Sequence, residues 1–255
     1  DSSIIELMLM EAANTKADKL KVNHVEYRDD VKREGYPVKT EKVNMLLKLT
    51  SSTDELWNSF TPKLRAQIKR PQKENAEILI GNIEYIDDFY AVFASNMRDL
   101  GTPVYSKDFF KNILETFSDS THIIVIKMNN KPVSAAFLIG YKNNLEIPWA
   151  STIQDVNHLS INMLLYGEVL KLAVTKNYKY FDFGRSSKDS GTYRFKKQWG
   201  AQPKQLYWHY WLKDDNTLPA LNPSNPKYLF FIMIWKRLPI FITKIIGPHI
   251  VKNLP

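Results

Sequence analysis

Residues 181–200 read F-D-F-G-R-S-S-K-D-S-G-T-Y-R-F-K-K-Q-W-G, and this stretch decides how the chain is understood. Phe181, Asp182 and Phe183 alternate up to Gly184, a short strand pattern. Arg185 and a serine-rich turn follow. Gly191 opens a basic-aromatic helix that stops at Trp199-Gly200. A segment that only fills a core would not hold Asp182, Arg185, Arg194, Lys196 and Lys197 among so many aromatic rings. It reads as a strand that delivers a site and a helix that lines it.

Outward from there, strands and helices mix. Ile161–Val174 is an apolar helix just upstream. Before it, Ile123–Met128, Val133–Tyr141 and Leu145–Ala150 read as antiparallel strands, with Asn129-Asn130 and Asn143-Asn144 as turns because Asn tolerates positive φ. Ile86, Phe89, Tyr90, Phe93, Met97 and Leu100 recur at helical spacing up to a stop at Gly101. Ser106–Phe117 is a further helix. Residues 51–55 are a helix start, and Thr61-Pro62 restarts it with Thr61 as N-cap and Pro62 at the first helical position, until Pro71. His24–Arg28, Val43–Leu49, Ile78–Ile80 and Gln205–Leu212 complete the strands. At the start, Ile4, Ile5, Leu7, Met8, Ala12 and Leu20 suggest an amphipathic helix. The expected fold class is α+β, a mixed α/β layer arrangement.

Composition narrows the chemistry. There is no cysteine, which removes disulfides, thiolate nucleophiles and Cys-zinc sites and fits a cytoplasmic protein. The five histidines are scattered and no H-E-x-x-H occurs, so no metal site is expected. No P-loop and no G-x-S-x-G is present. The net charge of +8 points to an anionic partner or to a plain basic surface. No aromatic RNA-recognition motif accompanies that charge.

The 181–200 pattern resembles the FemAB family, whose signature is D-F-G-x-S-S on a strand, then a glycine, then F-K-x-x-F-G or F-K-x-x-W-G. Here these are Asp182 to Ser187, Gly191, and Phe195-Lys196-Lys197-Gln198-Trp199-Gly200. The basic helix K-L-R-A-Q-I-K-R at 63–70 resembles the family's R-x-x-I-R-K-A helix. M-R-D-L-G-T-P-V-Y at 97–105, S-I-N-M-L-L-Y at 160–166 and the N-P-K-Y … W-K-R-L-P tail are similar to the subgroup associated with exosortase and exopolysaccharide systems.

The resemblance implies tandem GNAT-like acyltransferase lobes, with central mixed sheets flanked by helices: a partial N-terminal lobe over 1–77, cut short at its start, a C-terminal lobe over 78–215, and an apolar, basic helical tail over 216–255. It implies acyl or aminoacyl transfer to an amine of a cell-envelope or polysaccharide precursor. Aminoacyl-tRNA is the donor and a peptidoglycan precursor the acceptor in the best-known members. The alternative is a non-catalytic member that binds a nucleotide-sugar or glycan intermediate. No cofactor is expected beyond the acyl carrier. Acetyl-CoA is the less expected donor, because the chain lacks the Q/R-x-x-G-x-G/A turn whose N–H groups grip pyrophosphate.

Lys196 matches the family's functional lysine, a cation that stabilises the oxyanion of acyl transfer. Asp182 is the candidate to orient the amine or take its proton, or else is a structural carboxylate paired with Arg185 or Arg194. Arg65 and Lys69 share a helix face and can hold phosphate, or form an ordinary solvated face. Arg185, at the strand end, is a candidate anion ligand. Tyr105 and Phe195 complete the expected substrate-binding set, whereas Trp149 reads as core.

In the tail, N-P-S-N-P at 222–226 reads as a linker. Tyr228–Ile246 is densely apolar but interrupted by Lys236, Arg237, Pro239 and Lys244, which argues against a membrane span. It reads either as a helical pair packed on the body or as an element over 228–250 resting on an anionic membrane, at the inner face of which the protein would then sit.

Overall fold

Ser52 and Thr61 each accept a hydrogen bond from the backbone N–H three residues on, at 3.2 Å from Glu55 and 3.3 Å from Leu64. These caps satisfy N–H groups that a helix start leaves unpaired, and two short helices begin where the hydroxyls and Pro62 placed them. The computed structural model describes residues 2–213, 218 and 226–252. The linker at 222–225 and the 215/216 boundary lie outside the described residues.

In chain order the elements are α1 (Ser2–Lys19), β1 (His24–Asp29), β2 (Val38–Lys39), β3 (Lys42–Lys48), α2 (Thr53–Ser59), α3 (Pro62–Lys69), β4 (Glu77–Gly81), α4 (Ile86–Leu100), α5 (Lys107–Thr116), β5 (Thr121–Met128), β6 (Lys131–Tyr141), β7 (Asn144–Thr152), α6 (Ile161–Thr175), β8 (Tyr180–Ser187), α7 (Gly191–Lys197), β9 (Gln202–Gln205), β10 (Tyr207–Leu212), α8 (Pro226–Trp235) and α9 (Ile240–Val251). The fold is α+β. Among the described residues the strands form a seven-stranded sheet ordered β4-β5-β6-β7-β8-β3-β9 and a three-stranded sheet ordered β1-β10-β2.

The large sheet is covered on both faces, which explains its continuous apolar strands. In β5, Ile124 and Ile126 join one core and Ile123 and Val125 the other, as strand alternation requires. The first core gathers Met45, Leu64, Leu164, Phe181 and Trp199. The second is built on Phe89, Phe93, Phe110 and Phe137, packed edge to face and stacked. Strand β3 thus shares the large sheet with β5 to β9, and α3 packs into its first core through Leu64 and Ile68.

One junction in that sheet matters most. β7 and β8 run parallel, but pair only from Asn144 to Glu146 against Tyr180 to Asp182. Pro148 then lacks an N–H for the ladder, and the β6–β7 register slips between Phe137 and Ile139. On the other side, Phe183 and Gly184 together oppose Met45, a bulge made possible by Gly184 at φ +75°. Pairing ends on both strands at one level, and they part.

Three expectations change. The run 205–212 is two strands, not one: the chain leaves the large sheet after Gln205 and enters the small one at Tyr207. The turn expected at Asn143-Asn144 places its positive φ on Lys142 instead. Helix α1 exposes Ile4, Ile5, Leu7, Met8 and Ala12, with Leu20 exposed just after it, and docks instead through Met10 and Ala17, with the Tyr27 hydroxyl donating to Asn14 Oδ1 at 2.7 Å.

The tail is a helical pair against α4 and the segment after it. A methyl on Gly247 would meet Val104 N at 2.8 Å, and one on Gly101 would meet Ile232 at 2.5 Å, so both glycines permit close approach. The Arg98 guanidinium donates to Leu238 O at 3.5 Å.

Candidate active site

Where β7 and β8 part, a cleft of about 1370 Å³ opens between the two sheets. One wall comes from the large sheet: Glu146 to Trp149 on β7, Phe183 to Arg185 on β8, and Lys196 on α7. The other is one face of the small sheet, where alternation presents His24, Glu26 and Arg28 from β1, Lys39 from β2, and Trp208 and Tyr210 from β10. Tyr105 lies at its edge, stacked on Phe109 at 4.8 Å and edge-on to Trp149 at 6.2 Å.

Lys196 is half-buried. Its ammonium donates to Gly184 O at 3.0 Å and Arg185 O at 2.9 Å, the two carbonyls that follow the bulge. Desolvation lowers its pKa to about 8, and the Arg185 charge acts in the same direction while Asp182 opposes them. Two of three N–H groups are held by the backbone, so the charge sits in one place.

Asp182 is held beneath that wall. Its Oδ1 accepts from Gly184 N and its Oδ2 from Asn44 Nδ2, both at 2.7 Å. Its partners are therefore the bulge and β3, not Arg185 or Arg194. It lines a smaller cavity of about 420 Å³ with Asn44, Glu146 and Lys204. It positions the bulge, and with it Lys196. Asp182→Ala strands the Gly184 N–H and is expected to lower stability by about 1–3 kcal/mol, read by chemical denaturation. A variant as stable as the parent would contradict that role.

Glu146 lines both cavities, opposite Asp182 in the parallel register. The residue is exposed in the cleft. Desolvation by the surrounding strands pushes its carboxyl above the usual carboxylate range, the Asp182 charge adds to this, and Arg185 opposes it.

Arg185 lies over the Trp208 ring at 5.5 Å from its centroid, and Arg28 lies over the same ring at 4.7 Å. With Lys39, Lys42 and Lys196 they outnumber the carboxylates of the lining, Glu26, Glu41 and Glu146, by five to three. Lys196, Arg185 and Tyr105 thus meet in one cleft.

Phe195 does not join them. It turns into the core against Tyr166 at 4.9 Å, edge to face, and fixes α7 on α6. Arg65 and Lys69 do not line the cleft either. Their helix α3 packs on α6 through Leu64 and Ile68, and the Lys69 ammonium lies 5.1 Å from the Trp57 ring centroid. Trp149, read as core, does pack on Phe110 and Phe137 of the second core and also lines the cleft. Glu146, Arg28, Lys39 and Trp208 carry no motif. The only signal for Trp208 was the two-faced alternation of Y-W-H-Y-W-L at 207–212.

A family model described as an acetyltransferase (GNAT) domain matches residues 62–197, more than half of the chain. The chain belongs to the GNAT acetyltransferase family. The matched span of this GNAT protein runs from α3 through α7 and contains both strands of the open junction. Its fold is similar to that of FemX, at 14% identity and a TM-score of 0.62 over 79% of this chain and 75% of FemX. It is also similar to L-PGS from Bacillus licheniformis, at 13% identity and a TM-score of 0.62 over 89% of this chain and 76% of that one. A third similar structure is the C-terminal domain of a putative lysylphosphatidylglycerol synthetase from Agrobacterium fabrum, at 13% identity and a TM-score of 0.56, covering 71% of this chain and 63% of that one. At these identities the likeness is one of fold, and the FemX fold agrees with the FemAB resemblance of residues 181–200. No curated protein sequence matches the chain.

Proposed function

We propose that this GNAT protein transfers an acyl or aminoacyl group from an acyl carrier to an amine of a cell-envelope or polysaccharide precursor. The observation that carries this reading is Lys196, a half-buried ammonium tied to Gly184 O and Arg185 O in a cleft that also holds Glu146. The amine attacks the carrier's ester or thioester carbonyl, a C–N bond forms, and the bond to the carrier breaks. Glu146 takes the proton that the attacking nitrogen loses. Lys196 stabilises the tetrahedral oxyanion and gives a proton to the departing carrier atom.

The donor is aminoacyl-tRNA or another acyl carrier. Helix α6 starts after Ser160, at φ +65°, without the glycines of a pyrophosphate-gripping turn, which disfavours acetyl-CoA. The cationic cleft suits a phosphorylated or otherwise anionic substrate. The shared fold of FemX and of a protein named as a lysylphosphatidylglycerol synthetase supports a lipid-linked envelope acceptor.

The test supplies radiolabelled aminoacyl-tRNA and, separately, acyl-CoA together with lipid-linked and soluble envelope precursors, and identifies acylated products by mass spectrometry. Label is expected in an amide on the acceptor. Tight binding of a nucleotide-sugar with no transfer from any donor would favour the non-catalytic alternative.

A further inference from the structure

Between Pro226 and Lys252 the chain contains no aspartate or glutamate, yet carries Lys227, Lys236, Arg237, Lys244 and Lys252. Helices α8 and α9 meet the body through one side only. Thr243 and Gly247 are buried there, Gly247 on the Val104 backbone, and Ile232 covers Gly101. The other side is bare and apolar: Phe230, Phe231, Phe241 and Ile245 are 56%, 66%, 64% and 66% exposed, and Met233 and Ile246 lie open beside them. So dense an open apolar surface is a contact surface.

We propose that the α8–α9 hairpin docks in the plane of an anionic lipid bilayer. No helix among the described residues is long and apolar enough to cross a membrane, so the hairpin lies on the surface with its rings in the headgroup boundary. The charges select this occupant. Lys236 and Arg237 are exposed at the bend between the helices, Lys236 with its stem beside Gly101 of the body, and this bend is where anionic headgroups meet the hairpin. A second copy of the hairpin would bring only cations against cations, which opposes self-association.

The docking surface is continuous with the site. Helix α9 seats on Val104, and the next residue, Tyr105, lines the cleft. A docked hairpin therefore holds this edge of the cleft close to lipid-borne amines. That last step rests on the proposed acyl transfer, whereas docking itself does not.

Flotation of the full chain tests the docking, with vesicles of phosphatidylcholine alone and of an equimolar mixture with phosphatidylglycerol. Binding is expected on the mixed vesicles and is weakened by salt. Phe230→Ser/Phe231→Ser/Phe241→Ser is expected to lower partitioning on the order of a hundredfold. Lys236→Gln/Arg237→Gln is expected to lower it about thirtyfold on the mixed vesicles. All five residues are exposed, so the thermal midpoint is expected to hold; if the phenylalanine variant unfolds, the charge variant carries the test. Equal flotation of parent and charge variant, no flotation of the parent, or a dimer in sedimentation velocity that the phenylalanine variant dissolves would overturn the proposal. Docking without any acyl transfer would leave it standing and count against the proposed activity.

Discussion

Lys196→Ala is expected to lower kcat/KM on the order of a hundred- to a thousandfold, the cost of losing one preorganised group at an oxyanion. The fold is expected to survive, because two effects on stability oppose each other. The variant frees Gly184 O and Arg185 O, which water reaches at the rim of a wide cleft. It also removes a desolvated charge. The unfolded lysine holds its proton to higher pH than the folded one, so the charged form opposes folding at neutral pH. The pH profile adds a second readout. Lys196 carries its proton below about 8, so the rate is expected to fall as pH rises through that value. Lys196→Arg keeps a charge throughout and is expected to lose that falling limb, whatever its absolute rate. Full activity in Lys196→Ala on a validated substrate pair would remove the residue from the mechanism.

Glu146→Gln is expected to lower kcat about a hundredfold or more, the usual worth of a positioned base. The carboxyl is pushed up, so it becomes a base only above the ordinary carboxylate range, and the rising limb of the profile follows it. In the glutamine variant the remaining rising limb is expected to report the acceptor amine alone. Stability moves the other way. The unfolded carboxyl releases its proton at lower pH than the folded one, so ionised Glu146 opposes folding at neutral pH, and neutral Gln is expected to hold or raise the thermal midpoint. An unchanged kcat with an unchanged profile would show that Glu146 only shapes the cleft.

Much of this protein was legible in its residues. Caps at Ser52 and Thr61, the glycine stop at Gly101 and the Asn129-Asn130 turn work through a few neighbouring atoms, so local pattern reveals them. The motif around Gly184 and Lys196 was legible through its resemblance to the FemAB signature. A bulge, a turn and a short helix bring Lys196 back onto Gly184 O and Arg185 O, and that return is encoded within fifteen residues.

What escaped the sequence depends on pairing between distant strands. Phe195 and Lys196 are adjacent, but α7 sends one ring into the core and one ammonium to the cleft, and only the position of α6 decides which. Arg65 and Lys69 share a helix face as their spacing required, but packing of α3 on α6 sets them apart from the cleft. Trp208, Arg28 and Lys39 become a wall only because the chain leaves the large sheet after β9 and β10 pairs with β1 and β2.

By itself the sequence determined most of the elements, the caps at Ser52 and Thr61 and the α+β class, which follow from local sterics and periodicity, while its resemblance to the FemAB signature singled out Lys196. The tertiary structure alone decided the cleft. Its walls come from residues more than a hundred positions apart, and its opening exists because Pro148 and the Gly184 bulge end the pairing of β7 and β8 at the same level.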